Sequence, residues 1–259
     1  MSLIVEMANI SKSYGEIKAL DDVSFALGSN EVVGLLGDNG AGKSTLIKIL
    51  AGVTRADAGT MHINGQAIDP RGHSVAKARK LRIETVFQDK SLGEKQPLWS
   101  NFFVGRHLTN RWGFIDVAAE MRVTREILGN ILGLQASNLR PETIAGTLSG
   151  GERQGVAIGR AMHFNSRIVV LDEPTTALSL REVENVLSFV RHIKREGKAC
   201  IYISHNINHV HAVADRFVIV DKGKIALNIA KDGTTLEELI KAMIHIAEGE
   251  NKTQPGALA

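Results

Sequence analysis

The chain has a single cysteine, Cys200, among 259 residues. One thiol cannot bridge within a chain, so a disulfide framework is excluded. Long apolar runs are also missing. None approaches the ~20 residues that a spanning helix needs, which argues against a membrane-spanning protein. The first fifteen residues, MSLIVEMANISKSYG, show no charged segment followed by an apolar stretch, so no secretory signal is read there. Charge of one sign is scarce: 31 Lys and Arg against 28 Asp and Glu leave +3. Basic residues are scattered, apart from short clusters such as Arg79-Lys80-Leu81-Arg82. A nucleic-acid face needs a denser stripe, so no nucleic-acid partner is expected; phosphate-rich ligands stay compatible with this balance. What is present is ordinary globular composition, 44% hydrophobic and 23% charged. That is too apolar for disorder and long enough to bury a large core without staples. The expected compartment is the cytosol.

The pattern along the chain predicts an α/β fold. Short strands are expected at Leu3 to Met7 and Val23 to Leu27. Glu31 to Leu36 is a near-continuous apolar run, the mark of a strand buried on both faces. A glycine-rich turn follows, then a helix from Ser44 to Ala51 closed by Gly52. Gly59 to Ile63 and Ile83 to Phe87 read as further strands. Between Gln88 and about Asn165 the texture turns helical, with helices expected at Val117 to Leu132 and Gly151 to Met162. Buried strands resume at Arg167 to Leu171 and Ala199 to Ile203. Between them, Val183, Val186, Leu187, Val190 and Ile193 form one face of a helix over Arg181 to Glu196. Phe217 to Val220 and Lys224 to Ile229 read as a hairpin around Lys222-Gly223. Leu236, Leu239, Ile240, Met243 and Ile244 mark a last amphipathic helix. The expected layout is one domain over 1–249. Its α/β core spans 1–88 and 166–249, a helical subdomain spans 89–165, and 250–259 is a frayed polar tail.

Chemistry enters at Gly37-Asp38-Asn39-Gly40-Ala41-Gly42-Lys43-Ser44, which matches G-x-x-x-x-G-K-[ST]. Glycines let the backbone curl and aim consecutive N–H groups at a phosphate. The following helix adds its positive end. Lys43 is the residue type that reaches β- and γ-phosphates, and Ser44 offers an oxygen to Mg²⁺. At average glycine usage such a match arises by chance in about one chain in a hundred. A second apolar run, Ile168 to Leu171, ends in Asp172-Glu173. Two carboxylates at the end of a buried strand are costly without a cation. Asp172 therefore reads as a Mg²⁺ holder, and Glu173 as the group that takes a proton from an attacking water.

With these two elements in place, Leu148-Ser149-Gly150-Gly151-Glu152-Arg153-Gln154 resembles the signature of the ATP-binding cassette (ABC) ATPases. The resemblance covers about residues 3 to 245. It implies a P-loop NTPase core with an N-terminal antiparallel β subdomain and an inserted helical subdomain. It further implies ATP and Mg²⁺ as ligands. By the resemblance, Gly37 to Thr45 hold phosphates, and Tyr14 stacks on adenine. Gln88 senses Mg²⁺ and the attacking water, and His205 contacts the γ-phosphate. Ser149, Gly150 and Gly151 close over ATP held by a second subunit, which is a second copy of this chain or a paralogue. Transmembrane permease subunits are implied as partners, with a periplasmic solute-binding protein acting indirectly. The implied place is the cytoplasmic face of the inner membrane. One position departs from the family pattern: after Pro174-Thr175-Thr176-Ala177-Leu178 the family usually has Asp, and here stands Ser179. That variant, with Asn101-Phe102-Phe103-Val104-Gly105-Arg106, is similar to ATPases of ribose-, xylose- and fructose-type sugar importers. An exporter remains the alternative within transport. DNA-repair types, with long coiled coils, and ribosome-associated types, with two cassettes in one chain, do not match this pattern.

Weaker signals read as structural. His205, His209 and His211 are spaced H-x₃-H-x-H, but no acidic or Cys ligand lies near them in sequence, so zinc is not expected. Cys200 sits mid-strand as a small hydrophobe. Trp99, Phe102 and Phe103 read as packing of the helical lobe, with a groove for a membrane partner as the sharper alternative.

Overall fold

The computed structural model describes residues 2–87, 92–130 and 139–249. Strands β1 (Leu3–Tyr14) and β2 (Ile17–Gly28) form a hairpin. β3 (Val32–Leu36) leads through a loop into α1 (Lys43–Leu50), followed by β4 (Ala58–Ile63), β5 (Gln66–Ile68), α2 (Val75–Lys80) and β6 (Ile83–Val86). Then come α3 (Leu98–Phe103), α4 (Val117–Asn130) and α5 (Gly150–His163). The chain continues with β7 (Ile168–Asp172), α6 (Leu180–Arg195), β8 (Ala199–Ile203), α7 (Ile207–Val213), β9 (Arg216–Asp221), β10 (Lys224–Ala230) and α8 (Leu236–Ala247).

Two sheets result. A 4-stranded sheet has the order β2-β1-β4-β5 and is antiparallel. A 6-stranded sheet has the order β10-β9-β3-β8-β7-β6; it is parallel except for the edge strand β10. Every residue of β3, β7 and β8 is buried, as the near-continuous apolar runs require for a sheet covered on both faces. Within those runs the side chains still alternate. Val33, Leu35, Ile168, Val170, Ile201 and Ile203 pack with α1 and the antiparallel sheet. Val32, Leu36, Val169, Leu171, Cys200 and Tyr202 pack on the opposite side with α5, α6 and α7. The α6 face lies where its spacing puts it, with Val183, Val186, Leu187, Val190 and Ile193 buried.

A third core belongs to the helical lobe. It joins Leu98, Phe102 and Phe103 of α3 to Ile127 and Leu128 of α4 and Val156 of α5. Phe102 and Phe103 are thus interior residues of the lobe. Arg106 ties this lobe to the main sheet. Its guanidinium donates to both carboxylate oxygens of Glu84 on β6, at 2.6 and 2.8 Å, and lies 3.6 Å from the Phe164 ring centroid.

Several elements differ from expectation. β1 and β2 are 12 residues each. Bulges interrupt their register, so the period-two signal stops early although pairing continues. Asn9 and Asp22, both at positive φ, are bonded side chain to side chain at 2.9 Å across the bulged region. α2, α3 and α7 are 6, 6 and 7 residues long, too short for helical periodicity to stand out in sequence. The α4 expectation ran to Leu132, and 131–138 lies outside the described residues, as does the tail 250–259.

The packing of α7 on β3 is unusually close. A Cβ on Gly34 would fall 2.2 Å from Val210 Cγ1. Gly34→Ala is therefore expected to destabilise the fold by about 1–3 kcal/mol through overpacking, measured by urea unfolding. Adding Val210→Ala to the same chain should return part of that loss, since it removes the obstructing methyl groups.

Candidate functional site

The loop between β3 and α1 is shaped by backbone constraints. Gly37 has φ 137 and Gly42 has φ 113, values closed to most side chains. Space closes the same positions: a Cβ on Gly37 would lie 2.1 Å from the Val220 carbonyl oxygen, and one on Gly42 would lie 2.6 Å from that of Ala19. The loop is thus wedged between β9 and the β1–β2 hairpin. Gly223 N–H donates to the Ala41 carbonyl at 2.9 Å and pins its far side. Gly42 caps α1, so the free N–H groups of the first helical turn open toward the loop.

Lys43 begins that helix, and its side chain is turned back into the loop. Its Nζ donates to the carbonyls of Gly37 at 2.6 Å and Asp38 at 2.9 Å. Burial pushes the ammonium below its ordinary pKa, against the opposing pull of Glu173, Asp172 and Asp38. Three carboxylates face this one ammonium, so a polyphosphate entering here needs a cation beside it to offset the surplus of negative charge. Asn39, Gly40, Ala41, Gly42, Lys43, Ser44, Thr45, Asp172 and Glu173 line one cavity of about 140 Å³. The loop and the acidic strand end, read separately in sequence, therefore meet at one place.

Asp172 is the last residue of β7 and is buried. Glu173 follows at φ 50, a left-handed conformation that costs about 1–3 kcal/mol in a non-glycine residue and marks functional sites. Its N–H donates to the Ile203 carbonyl at 3.0 Å, which fixes the turn to the end of β8. Glu173 Oε2 lies 2.9 Å from His205 Nδ1; the carboxylate is nearly buried and the imidazole exposed. Ser44 and Asp172 supply hard oxygen donors on this cavity, the kind that Mg²⁺ accepts alongside water and phosphate, so the residues present fit that ion.

Tyr14 and Ser149 stand apart from this cavity. Tyr14 is exposed near the end of the hairpin, with the Lys12 ammonium 5.4 Å from its ring centroid. Gln88 lies outside the described residues. Ser149 caps α5 by a reciprocal pair: Glu152 N–H donates to Ser149 Oγ at 3.2 Å, and Ser149 N–H donates to the Glu152 carboxylate at 2.8 Å. Gly151 faces another cavity, of about 350 Å³, that Ser179, Glu182 and Asn185 also line.

The three histidines go separate ways. His209 Nδ1 is 3.2 Å from Thr175 Oγ1. His211 Nε2 is 3.1 Å from the Thr234 carbonyl oxygen, and its ring stacks on Phe217. Thr175 itself was not singled out in sequence. It sits between His209 and Tyr202, whose hydroxyl is 3.4 Å away, and so steadies the loop after Glu173. Burial pushes the Tyr202 hydroxyl up to about 12, which keeps it a neutral hydrogen-bonding group. Only the side-by-side placement of β7, β8 and α7 reveals this cluster.

The sequence pattern of the ABC transporter family matches residues 20–176. This chain belongs to that family. Over 251 residues it is 39% identical to a xylose/arabinose import ATP-binding protein, XylG, of Sulfolobus acidocaldarius, covering 96% of this chain and 97% of that one. It is 38% identical to the ribose import ATP-binding protein RbsA 1 of Burkholderia ambifaria over 93% of this chain but 46% of the relative. The chain thus spans about half the length of the ribose-import relatives and nearly all of the xylose/arabinose one. Among solved structures it resembles a nucleotide-free ATP-binding cassette of an ABC transporter, with a TM-score of 0.79, 26% identity, and coverage of 96% of this chain and 100% of that one. It also resembles another cassette in its ADP conformation, with a TM-score of 0.76 and 25% identity. An ABC ATPase binds ATP. Among the described residues, no helix is long and apolar enough to cross a membrane.

Lys43→Ala removes two carbonyl contacts and the buried positive charge of the loop. It is expected to weaken ATP binding about 10- to 100-fold, the range for one or two charge-assisted hydrogen bonds. Titration with a fluorescent ATP analogue measures this, and an unchanged affinity would remove Lys43 from the site.

Proposed function

We propose that this cassette hydrolyses ATP to energise uptake of a sugar through separate transmembrane permease subunits. The observation that carries this reading is the meeting of Lys43, Ser44, Asp172 and Glu173 on one cavity, with His205 held to Glu173 at 2.9 Å. The relatives named for xylose/arabinose and ribose import support sugar as the solute class. The solute itself is selected by other subunits.

In the proposed reaction, the loop Gly37 to Thr45 wraps the phosphates with backbone N–H groups, and Lys43 transfers its contacts from the loop carbonyls to phosphate oxygens. Ser44 and Asp172 would hold Mg²⁺, with Gln88 added by the family resemblance. When bound, that ion neutralises charge on the β- and γ-phosphates. Glu173 takes a proton from a water aimed at the γ-phosphorus. The new P–O bond forms as the bond to the leaving ADP oxygen breaks. His205 is paired with Glu173 through Nδ1, which leaves Nε2 to face a γ-phosphate oxygen. Both nitrogens donate at once in the imidazolium form.

Two cassettes complete the proposed cycle, the second being another copy or a paralogue. Ser149 to Gly151 of each close over the ATP of the other. Only contacts stronger in the closed form shift the equilibrium toward closure, and the γ-phosphate is the group that hydrolysis removes. The proposed contact to the permease is a groove of about 150 Å³ lined by Val53, Phe87, Val104, Arg79 and Arg160. On this proposal the cassette works at the cytoplasmic membrane face, with a periplasmic solute-binding protein acting across the membrane.

Glu173→Gln is expected to lower turnover by about 10²-fold or more, the contribution of a positioned general base, while ATP binding persists. Sedimentation with ATP should then show a trapped dimer. Full turnover in this variant would overturn the role given to Glu173. Ser149→Arg should block hydrolysis and leave ATP binding by the single cassette unchanged; an unaltered rate would reject closure by the signature in trans.

A further inference from the structure

Ser179 stands where the family usually places Asp, so the loop Pro174 to Ser179 lacks that carboxylate. A carboxylate is nevertheless present one turn further on. Glu182 Oε2 accepts from Ser179 N–H at 2.9 Å and from Ser179 Oγ at 2.8 Å. The other oxygen of this carboxylate, Oε1, lies against Gly151, in the first turn of α5. The fit at Gly151 is tight, since a Cβ there would fall 2.0 Å from Glu182 Oε1. The Ser179 N–H, the Ser179 hydroxyl and then the Gly151 N–H hold the Glu182 carboxyl below its usual range.

We propose that Glu182 is a positioning residue for hydrolysis. It joins the loop Pro174 to Ser179 to the first turn of α5, so that this loop and Ser149 to Gly151 approach the facing cassette as one unit. The two carboxylate oxygens face different partners: Oε2 is bonded to Ser179, and Oε1 is the atom nearest Gly151. An anionic side chain also suits the N-termini of both α5 and α6, where unpaired N–H groups converge. The inference rests on the two-cassette reading above and adds to it the part that aligns the trans half of the site.

Glu182→Gln discriminates, because its single acceptor oxygen can serve Ser179 or Gly151 but not both. The expected result is a kcat about tenfold lower with KM for ATP little changed, the effect of losing one charge-assisted bond. In the Glu173→Gln background, ATP-driven dimerisation should weaken by a similar factor, with the thermal midpoint of the single cassette kept. Turnover and dimerisation equal to the parent, or stronger dimerisation, would overturn the proposal. Failure of the Glu173→Gln parent to dimerise would instead overturn the two-cassette reading, and the role of Glu182 with it. Should the Gln variant not fold, hydrogen exchange at the Gly151 amide of the unmodified chain decides. Protection is expected, and exchange at the rate of a free amide overturns the contact.

Discussion

A positive charge held out of water at the end of a buried strand organises this molecule. Lys43 is enclosed and bonded to two carbonyls of its own loop. Burial lowers its pKa, and Glu173, Asp172 and Asp38 pull the other way. Asp172 and Glu173 are brought to it by the parallel pairing of β3 with β8 and of β8 with β7. Neither sign would be tolerable alone in such a place. Together they form a site in which carboxylates outnumber the ammonium, so a phosphate chain enters it accompanied by a cation.

The remaining architecture keeps this balance at the right edge of the sheet. Loops at the C-terminal ends of parallel strands carry the chemistry, and here they follow β3, β7 and β8. The antiparallel sheet supports the loop from one side through Ala19 and Gly42. On the other side the lobe is held by the Arg106–Glu84 pair. Both oxygens of the Glu84 carboxylate are used in this pair, which fastens the lobe to the same sheet that carries Glu173.

Much of this was legible in the residues. The phosphate loop and Asp172-Glu173 were readable because their chemistry needs particular side chains at particular spacings. The α6 face was readable because five apolar residues repeat at the helical period. The long hairpin was only partly visible, since bulges at Asn9 and Asp22 break the alternation. Thr175 and Glu182 were not singled out at all. Each is an ordinary loop or capping residue in sequence, and each acquires its meaning from a neighbour far along the chain: His209 and Tyr202 in one case, Gly151 in the other.

By itself, then, the sequence determined the family, the glycine-rich loop before α1 and the acidic strand end, because those depend on residue type and local spacing. The tertiary structure decided that Lys43 turns back onto its own carbonyls, that Glu173 is strained and paired with His205, and that a carboxylate at 182 bridges two helix ends. These follow from the order of strands in the sheet and from how α5 and α6 pack. Contacts between residues distant in sequence leave no periodic trace in the sequence itself.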